Sequence, residues 1–253
     1  MGVSFSLSLT AVDILLENLN LGRAPLPFEV PHIGTTFEQR AQVREAVFRD
    51  LEGRGLVAYG RPAGDVERTL RTFVTAPVAI TAVAQLEAGK PLFARVVSDG
   101  EHAVESHQDA NMLIFTEVRP TAIVRCIVDL LPSVPAAAGQ SVTVAKPAPQ
   151  RRPRNEDYDA FSAVSRPRAS AGSAQTRMVE RIFQKPKVRI GQFTAFVGGG
   201  QALSPTVWFD TPDGRYFVTS REAEDGQSWI TYAPADEARL ARHLSGQLEG
   251  YLS

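Results

Sequence analysis

Apolar and polar positions alternate strictly near the start of the chain. Val3, Phe5, Leu7 and Leu9 are separated by Ser4, Ser6 and Ser8, the period of a half-buried strand. The pattern returns at residues 188–197, where Ile190, Gln192, Thr194 and Phe196 alternate with Gly191, Phe193, Ala195 and Val197. That mix of β-branched and aromatic residues, closed by Gly198-Gly-Gly200, predicts a strand. Residues 204–211 and 214–219 predict two more, joined at Pro212-Asp-Gly214. There proline presets φ and glycine supplies φ > 0. Another strand is predicted over 228–232. From Pro234 the period changes, and Leu240, Leu244, Leu248 and Leu252 line one face of a closing helix.

The same plan occurs earlier. Strands are predicted over 78–86 and 92–97, joined by a turn at 87–90, then a turn at Asp99-Gly100, a weak strand over 102–105 and a strand over 112–118. Pro120 opens a helix to Leu131 that is apolar almost all round and so should be buried on more than one face. Asp213 lies 114 residues after Asp99, and Pro234 lies 114 after Pro120. Two matching turn–strand–helix blocks imply a duplicated α+β unit. Ahead of the first block, Thr10 is the expected cap of a helix carrying Val12, Leu15, Leu16 and Leu19 and stopping at Gly22. Pro25, Pro27 and Pro31 keep the next stretch extended. Thr35-Thr-Phe-Glu-Gln39 holds two overlapping capping boxes for a helix that buries Val43, Val47 and Leu51 and stops at Gly53. A short strand is expected over 56–59. Asp65 is the expected cap of a helix carrying Val66, Leu70 and Phe73, ended by Pro77.

Composition changes after residue 132. Pro135, Pro147, Pro149, Pro153 and Pro167 fall among Ala, Ser and Arg, with a basic cluster Arg151-Arg-Pro-Arg154. This reads as a linker with one short helical turn around Tyr158 to Phe161. A helix with Met178, Val179, Ile182 and Phe183 follows. The expected organisation is an N-terminal α+β half, 1–132, a linker, 133–170, and a C-terminal α+β half, 171–253, with both halves sharing one sheet.

The C-terminal block resembles the EspG family, the chaperones of ESX (type VII) secretion in actinobacteria. The residues that carry the likeness are Ser204-Pro-Thr-Val-Trp-Phe-Asp-Thr-Pro-Asp-Gly-Arg215 and Ser228-Trp-Ile-Thr-Tyr-Ala-Pro-Ala-Asp-Glu237. Leu9-Thr-Ala-Val-Asp-Ile-Leu-Leu16 and Gln85-Leu-Glu-Ala-Gly-Lys-Pro-Leu-Phe93 are similar to the family's first helix and first long hairpin. The resemblance implies a central, mostly antiparallel sheet flanked by helical bundles, with two quasi-twofold halves. It implies a cytoplasmic, non-catalytic chaperone without a cofactor, whose partner is a secreted PE–PPE-like or WXG-type helical heterodimer. It places that partner on the central sheet with its loops and on the C-terminal helices. Mapped here, the expected contact residues are Arg95, Asp99 and Glu101 around the first turn, and Arg239 and Arg242 on the outward face of the last helix.

Composition and charge narrow the alternatives. The 253 residues carry 27 Lys+Arg against 28 Asp+Glu, a formal net charge of −1, so the overall balance favours neither nucleic acid nor a membrane surface. No apolar run approaches the roughly 20 residues needed to span a bilayer. The single cysteine, Cys126, rules out an intramolecular disulfide and sits in the most apolar helix, where a thiol is inert. Acidic residues Glu156, Asp157 and Asp159 follow the basic cluster at once, which favours a solvated segment over a nucleic-acid arm. Gly198-Gly-Gly200 lacks the Gly-Lys-Ser/Thr of a phosphate loop and reads as a turn. Trp208 and Trp229 are expected in the core. His243 is expected to be partly exposed. Two other functions stay open. One is a metal-dependent hydrolase using His102, Glu105 and His107; the other is a scaffold that associates only with itself. The linker composition also makes a prediction. Limited trypsin digestion should cut first between Arg151 and Arg168, leaving two fragments that stay associated. Early cleavage within 188–232 would contradict it.

Overall fold

The computed structural model describes residues 3–87, 90–145, 174–222 and 227–251. The first half contains β1 (Ser4–Ser8), α1 (Leu9–Asn18), α2 (Phe37–Gly53), β2 (Val57–Ala58), β3 (Arg61–Pro62) and α3 (Gly64–Thr75). It continues with β4 (Val78–Glu87), β5 (Lys90–Ser98), β6 (Ala103–Asp109), β7 (Met112–Val118), a 3-10 turn (Pro120–Ala122) and α4 (Ile123–Asp129). Then come β8 (Val142–Ala145), α5 (Ala174–Gln184), β9 (Arg189–Val197), β10 (Gln201–Ala202), β11 (Thr206–Thr211), β12 (Gly214–Glu222), β13 (Ser228–Pro234) and α6 (Glu237–Gln247).

One antiparallel sheet runs through both halves in the order β1-β7-β6-β5-β4-β9-β11-β12-β13-β8, with β10 added to β9. The order reads the same outward from the β4–β9 seam. Each half supplies a central strand, a three-strand meander and an edge strand, with a helix ahead of the central strand and another after the meander. Helices cover both faces. Phe196 packs into the core under α1, α2 and α3, whereas Ile190 packs into the core under α5. Both are even positions of β9, so these two groups of helices share a face. On the other face α4 and α6 close a core of Ile80, Ala82, Val96, Phe193, Ala195 and Trp208. Leu240, Leu244 and Leu248 enter that core fully buried, and each such side chain contributes about 1.5–3 kcal/mol. Leu252 lies outside the described residues.

A buried ion pair organises the C-terminal hairpin. Arg215, fully buried, donates from Nε to Asp210 Oδ1 at 2.7 Å and from Nη2 to Asp210 Oδ2 at 3.1 Å. Nη2 also reaches the Pro132 carbonyl at 2.8 Å, and the guanidinium lies 4.9 Å from the Trp208 ring. This fork ties the incoming 132–137 segment to the hairpin, and the backbone repeats the tie through Arg215 N to Pro135 O at 2.9 Å.

Several local expectations shift. Ser8, the last strand residue, caps α1 by accepting from Ala11 N, so the helix starts before the expected cap at Thr10. The second capping box is formed, with Thr36 and Gln39 bonding reciprocally. Asp65 is not the cap of α3, which starts at Gly64 after Ala63. It accepts instead from Val66 N, where a carboxylate suits the helix start. The weak strand at 102–105 is a full strand to Asp109 because it is paired on both sides. Pro120 opens a 3-10 turn, and the α-helix is confined to Ile123–Asp129. Pro234 ends β13; Asp236 caps α6 by accepting from Arg239 N. The segment expected to begin a linker at 133 instead supplies β8, which pairs with β13 from Val142↔Tyr232 to Ala145↔Trp229. Trp208 is fully buried, while Trp229 is 39% exposed beside this edge. The basic cluster at 151–154 and the helical turn expected at 158–161 lie outside the described residues.

The two turn glycines differ in a testable way. Gly100 has φ +96° with open space around an added Cβ, whereas Gly214 has φ +120° and its Cβ would lie 2.7 Å from Ala137 N and Pro135 O. Gly100→Val should therefore cost about 1–2 kcal/mol from backbone strain alone. Gly214→Val should lower the urea midpoint further, because backbone atoms must also move. Equal midpoints for the two variants would show that the 132–137 segment is not packed on this turn.

Candidate functional site

The five expected contact residues do not form one surface. Strand register fixes the geometry: Val78 pairs with Ser98, and Ala79 pairs with Phe196, so the Asp99-Gly100 turn sits at the sheet end where β4 begins. Tyr216 pairs with Pro234, which puts the start of α6 at the other end, beside the Gly214 turn. Asp99 and Glu101 thus sit at the sheet end opposite the start of α6, which carries Arg239 in its first turn and Arg242 in its second.

Each position has its own environment. Asp99 shapes its turn: Oδ1 accepts from Glu101 N at 3.0 Å and from His102 N at 2.7 Å. Its charge reversal would break the turn as well as change the surface. Glu101 is exposed. On α6, burial of Leu240 and Leu244 turns Arg239 and Arg242 to solvent. Arg239 keeps one anchor, Nη1 to the Pro234 carbonyl at 2.8 Å. His243 is half-buried with its ring 5.3 Å from Phe217, and burial lowers its pKa.

Arg95 departs most from expectation. It projects from β5 on the face covered by α3 and is only 8% exposed. Nη1 donates to the Leu26 carbonyl at 3.2 Å, and the guanidinium lies 6.0 Å from the Phe196 ring. Burial pushes its pKa down to about 10. It faces a cavity of about 360 Å³ walled by Pro25, Leu26, the turn between α3 and β4, Phe196, Gly199 and Gly200. Sequence reading missed this cavity. Its only local signal was a charged residue between Ala94 and Val96 in an otherwise apolar strand. A larger groove of about 690 Å³ lies beside the start of α2, under the exposed Phe37. Its buried cation, Arg40, is already held by Asp13 at 2.5 Å and by Glu17.

The residues proposed for metal chemistry do not converge. Glu105 and His107 share a face of β6, with His107 Nδ1 2.8 Å from Glu105 Oε1. His102 precedes the strand, at a position of opposite parity, and its backbone belongs to the Asp99 turn. Among the described residues no three His, Cys, Asp or Glu side chains are grouped to hold a metal ion. Cys126 lies on α4, which packs over β6; burial first, and then the Glu105 charge, raise its pKa, which disfavours the thiolate. No helix among the described residues is long and apolar enough to cross a membrane.

Comparison with known proteins adds three findings. A family model described as the EspG family matches residues 8–246. No curated protein matches. Among solved structures, the chain is similar to the Mycobacterium tuberculosis type VII secretion system chaperone EspG5, solved in complex with a PE25-PPE41 dimer. The TM-score is 0.64 at 13% identity, covering 98% of this chain and 97% of that one.

His107 and His243, both half-buried, should titrate in opposite directions. The hydrogen bond to Glu105, opposed by burial, raises the pKa of His107, so its stabilising contribution is present below pH 6.5 and lost as pH rises through the folded pKa. Burial lowers that of His243, so its contribution is present above pH 6.5 and lost as pH falls through the folded pKa. Imidazole NMR titration, assigned with His107→Gln and His243→Gln, should place the two midpoints on either side of 6.5. Coincident midpoints would refute the environments described.

Proposed function

The chain belongs to the EspG family, and from that membership we propose that it is a cytoplasmic chaperone of type VII (ESX) secretion. It binds a PE–PPE-type helical heterodimer and keeps it soluble for export, by binding rather than by chemistry. The observation that carries this reading is the family match over 8–246, which takes in every sheet strand after β1 and most of α6. The shared fold with a chaperone solved around a PE25-PPE41 dimer supports it. The separation of His102 from the Glu105–His107 pair supports binding over hydrolysis. We assign the chain to two halves, 1–132 and 171–253, with 142–145 forming the outer edge strand of the C-terminal half's sheet.

Of the expected contact charges, Arg239 and Arg242 on α6 are the ones this reading retains. Both are exposed on a helix whose inner face is fixed by leucines, so they can meet a partner without unpacking the core. Exposed rim charges of this kind steer association more than they set affinity. Glu101 is a second, separate patch, and Asp99 belongs to the architecture of its turn.

Co-expression with a PE–PPE heterodimer encoded beside it tests the function. The heterodimer should co-purify with the chain and aggregate without it. Reversal of Arg239 and Arg242 to Glu should weaken capture several-fold with the thermal midpoint nearly unchanged. Wild-type capture by the double variant removes α6 from the interface. Failure of any such heterodimer to bind the wild-type chain removes the chaperone reading.

A further inference from the structure

Three arginines are buried among the described residues: Arg40, Arg95 and Arg215. Two have carboxylates. Arg215 is forked onto Asp210, and Arg40 is held by Asp13 and Glu17. Although burial alone would lower the pKa of Arg40, its bonds to those carboxylates prevail and raise it. Arg95 has no such partner. Its one hydrogen bond is to a neutral carbonyl, and its buried Nε has no acceptor. Burial acts on it with nothing opposing. A guanidinium in this position is destabilising until an anion reaches it, because no opposite charge offsets its desolvation.

The space around it is built to admit one. Leu26, Val74, Ala79 and Phe196 give the cavity an apolar side, Thr75 and the Gly199–Gly200 backbone add polar groups, and Arg95 is the single cation among the described residues that line it. Gly199 and Gly200 form part of the rim, and a Cβ added to either meets nothing within 4 Å, so that side stays open. One planar, bidentate donor suits one carboxylate. The volume of about 360 Å³ accommodates a short hydrocarbon behind the carboxylate.

We propose that the cavity over Arg95 is a carboxylate-binding site that takes a carboxylate carried on a short apolar stem. The carboxylate comes either from an acidic side chain of the bound client or from a free carboxylic acid. The site stands on its own geometry; only the client source rests on the chaperone reading.

Hexanoate is the probe, with hexylammonium as the charge-reversed control and the full chain as the sample. Hexanoate should give a saturable shift of the Arg95 Nε–Hε NMR signal, and hexylammonium should give none. Arg95→Gln removes the signal and the binding, with a thermal midpoint at or above wild type because an unpaired charge has gone. Arg95→Lys keeps the charge, loses the fork and should bind several-fold more weakly. The preformed complex with a heterodimer separates the sources. If the client supplies the acid, the complex no longer takes up hexanoate and Arg95→Gln weakens capture. If the complex still takes it up, the ligand is a free acid. The proposal is overturned if millimolar hexanoate leaves the wild-type signal unmoved while Arg95→Gln captures heterodimer at wild-type strength. Failure of the wild type to bind any heterodimer removes the client source alone, and the wild-type hexanoate titration then decides the site.

Discussion

The pairing of β4 with β9 joins the two halves, and the rest of the architecture is arranged around it. Seven residue pairs, from Ala79↔Phe196 to Gln85↔Ile190, make one sheet of what would otherwise be two smaller sheets. The seam is close-packed at one point in particular. A Cβ on Gly191 would lie 2.6 Å from Ala84 Cβ and 2.7 Å from the Trp208 ring, so glycine there lets the fully buried tryptophan lie over the seam. Trp208 in turn supports the Arg215 guanidinium, which holds Asp210 and the 132–137 segment. A single close approach thus links the seam, the C-terminal hairpin and the chain entering from the first half.

Buried charge is handled in two ways across this sheet. Where it builds structure it is paired: Asp210 receives the Arg215 fork, and Asp13 and Glu17 receive Arg40. Removing Asp210 would leave Arg215 buried without a carboxylate, a loss that typically costs about 3–5 kcal/mol. Arg95 is the exception, buried beside a cavity without a carboxylate. The contrast with the two paired arginines is the ground on which a carboxylate site is proposed there.

Much of the fold was legible because its signals are local. The leucine spacing of α6, the Thr36–Gln39 box and the turn at Asp213-Gly214 each act within a few residues, and each appears in the structure. The 114-residue offset was legible because both halves keep the same step from turn to proline. What was missed is tertiary. β8 is four residues in a Pro- and Ala-rich stretch, and only pairing with Trp229 to Tyr232, more than eighty residues away, makes it a strand. The expected contact residues were chosen as charges near turns and on a helix face. Strand alternation places Arg95 on the face opposite Ala94 and Val96, but local sequence does not show that residues 25–26 and α3 cover that face. Nor could local spacing reveal that the Asp99 turn and the start of α6 occupy opposite ends of the sheet.

On the proposed function, the continuous sheet, with α6 laid across its C-terminal half, carries a helical heterodimer. Sedimentation equilibrium of the chain co-expressed with a PE–PPE heterodimer tests this most directly. The proposed function predicts a mass equal to one 27.5 kDa chain plus one heterodimer. A chain that sediments alone, or only with copies of itself, in the presence of the heterodimer would contradict it.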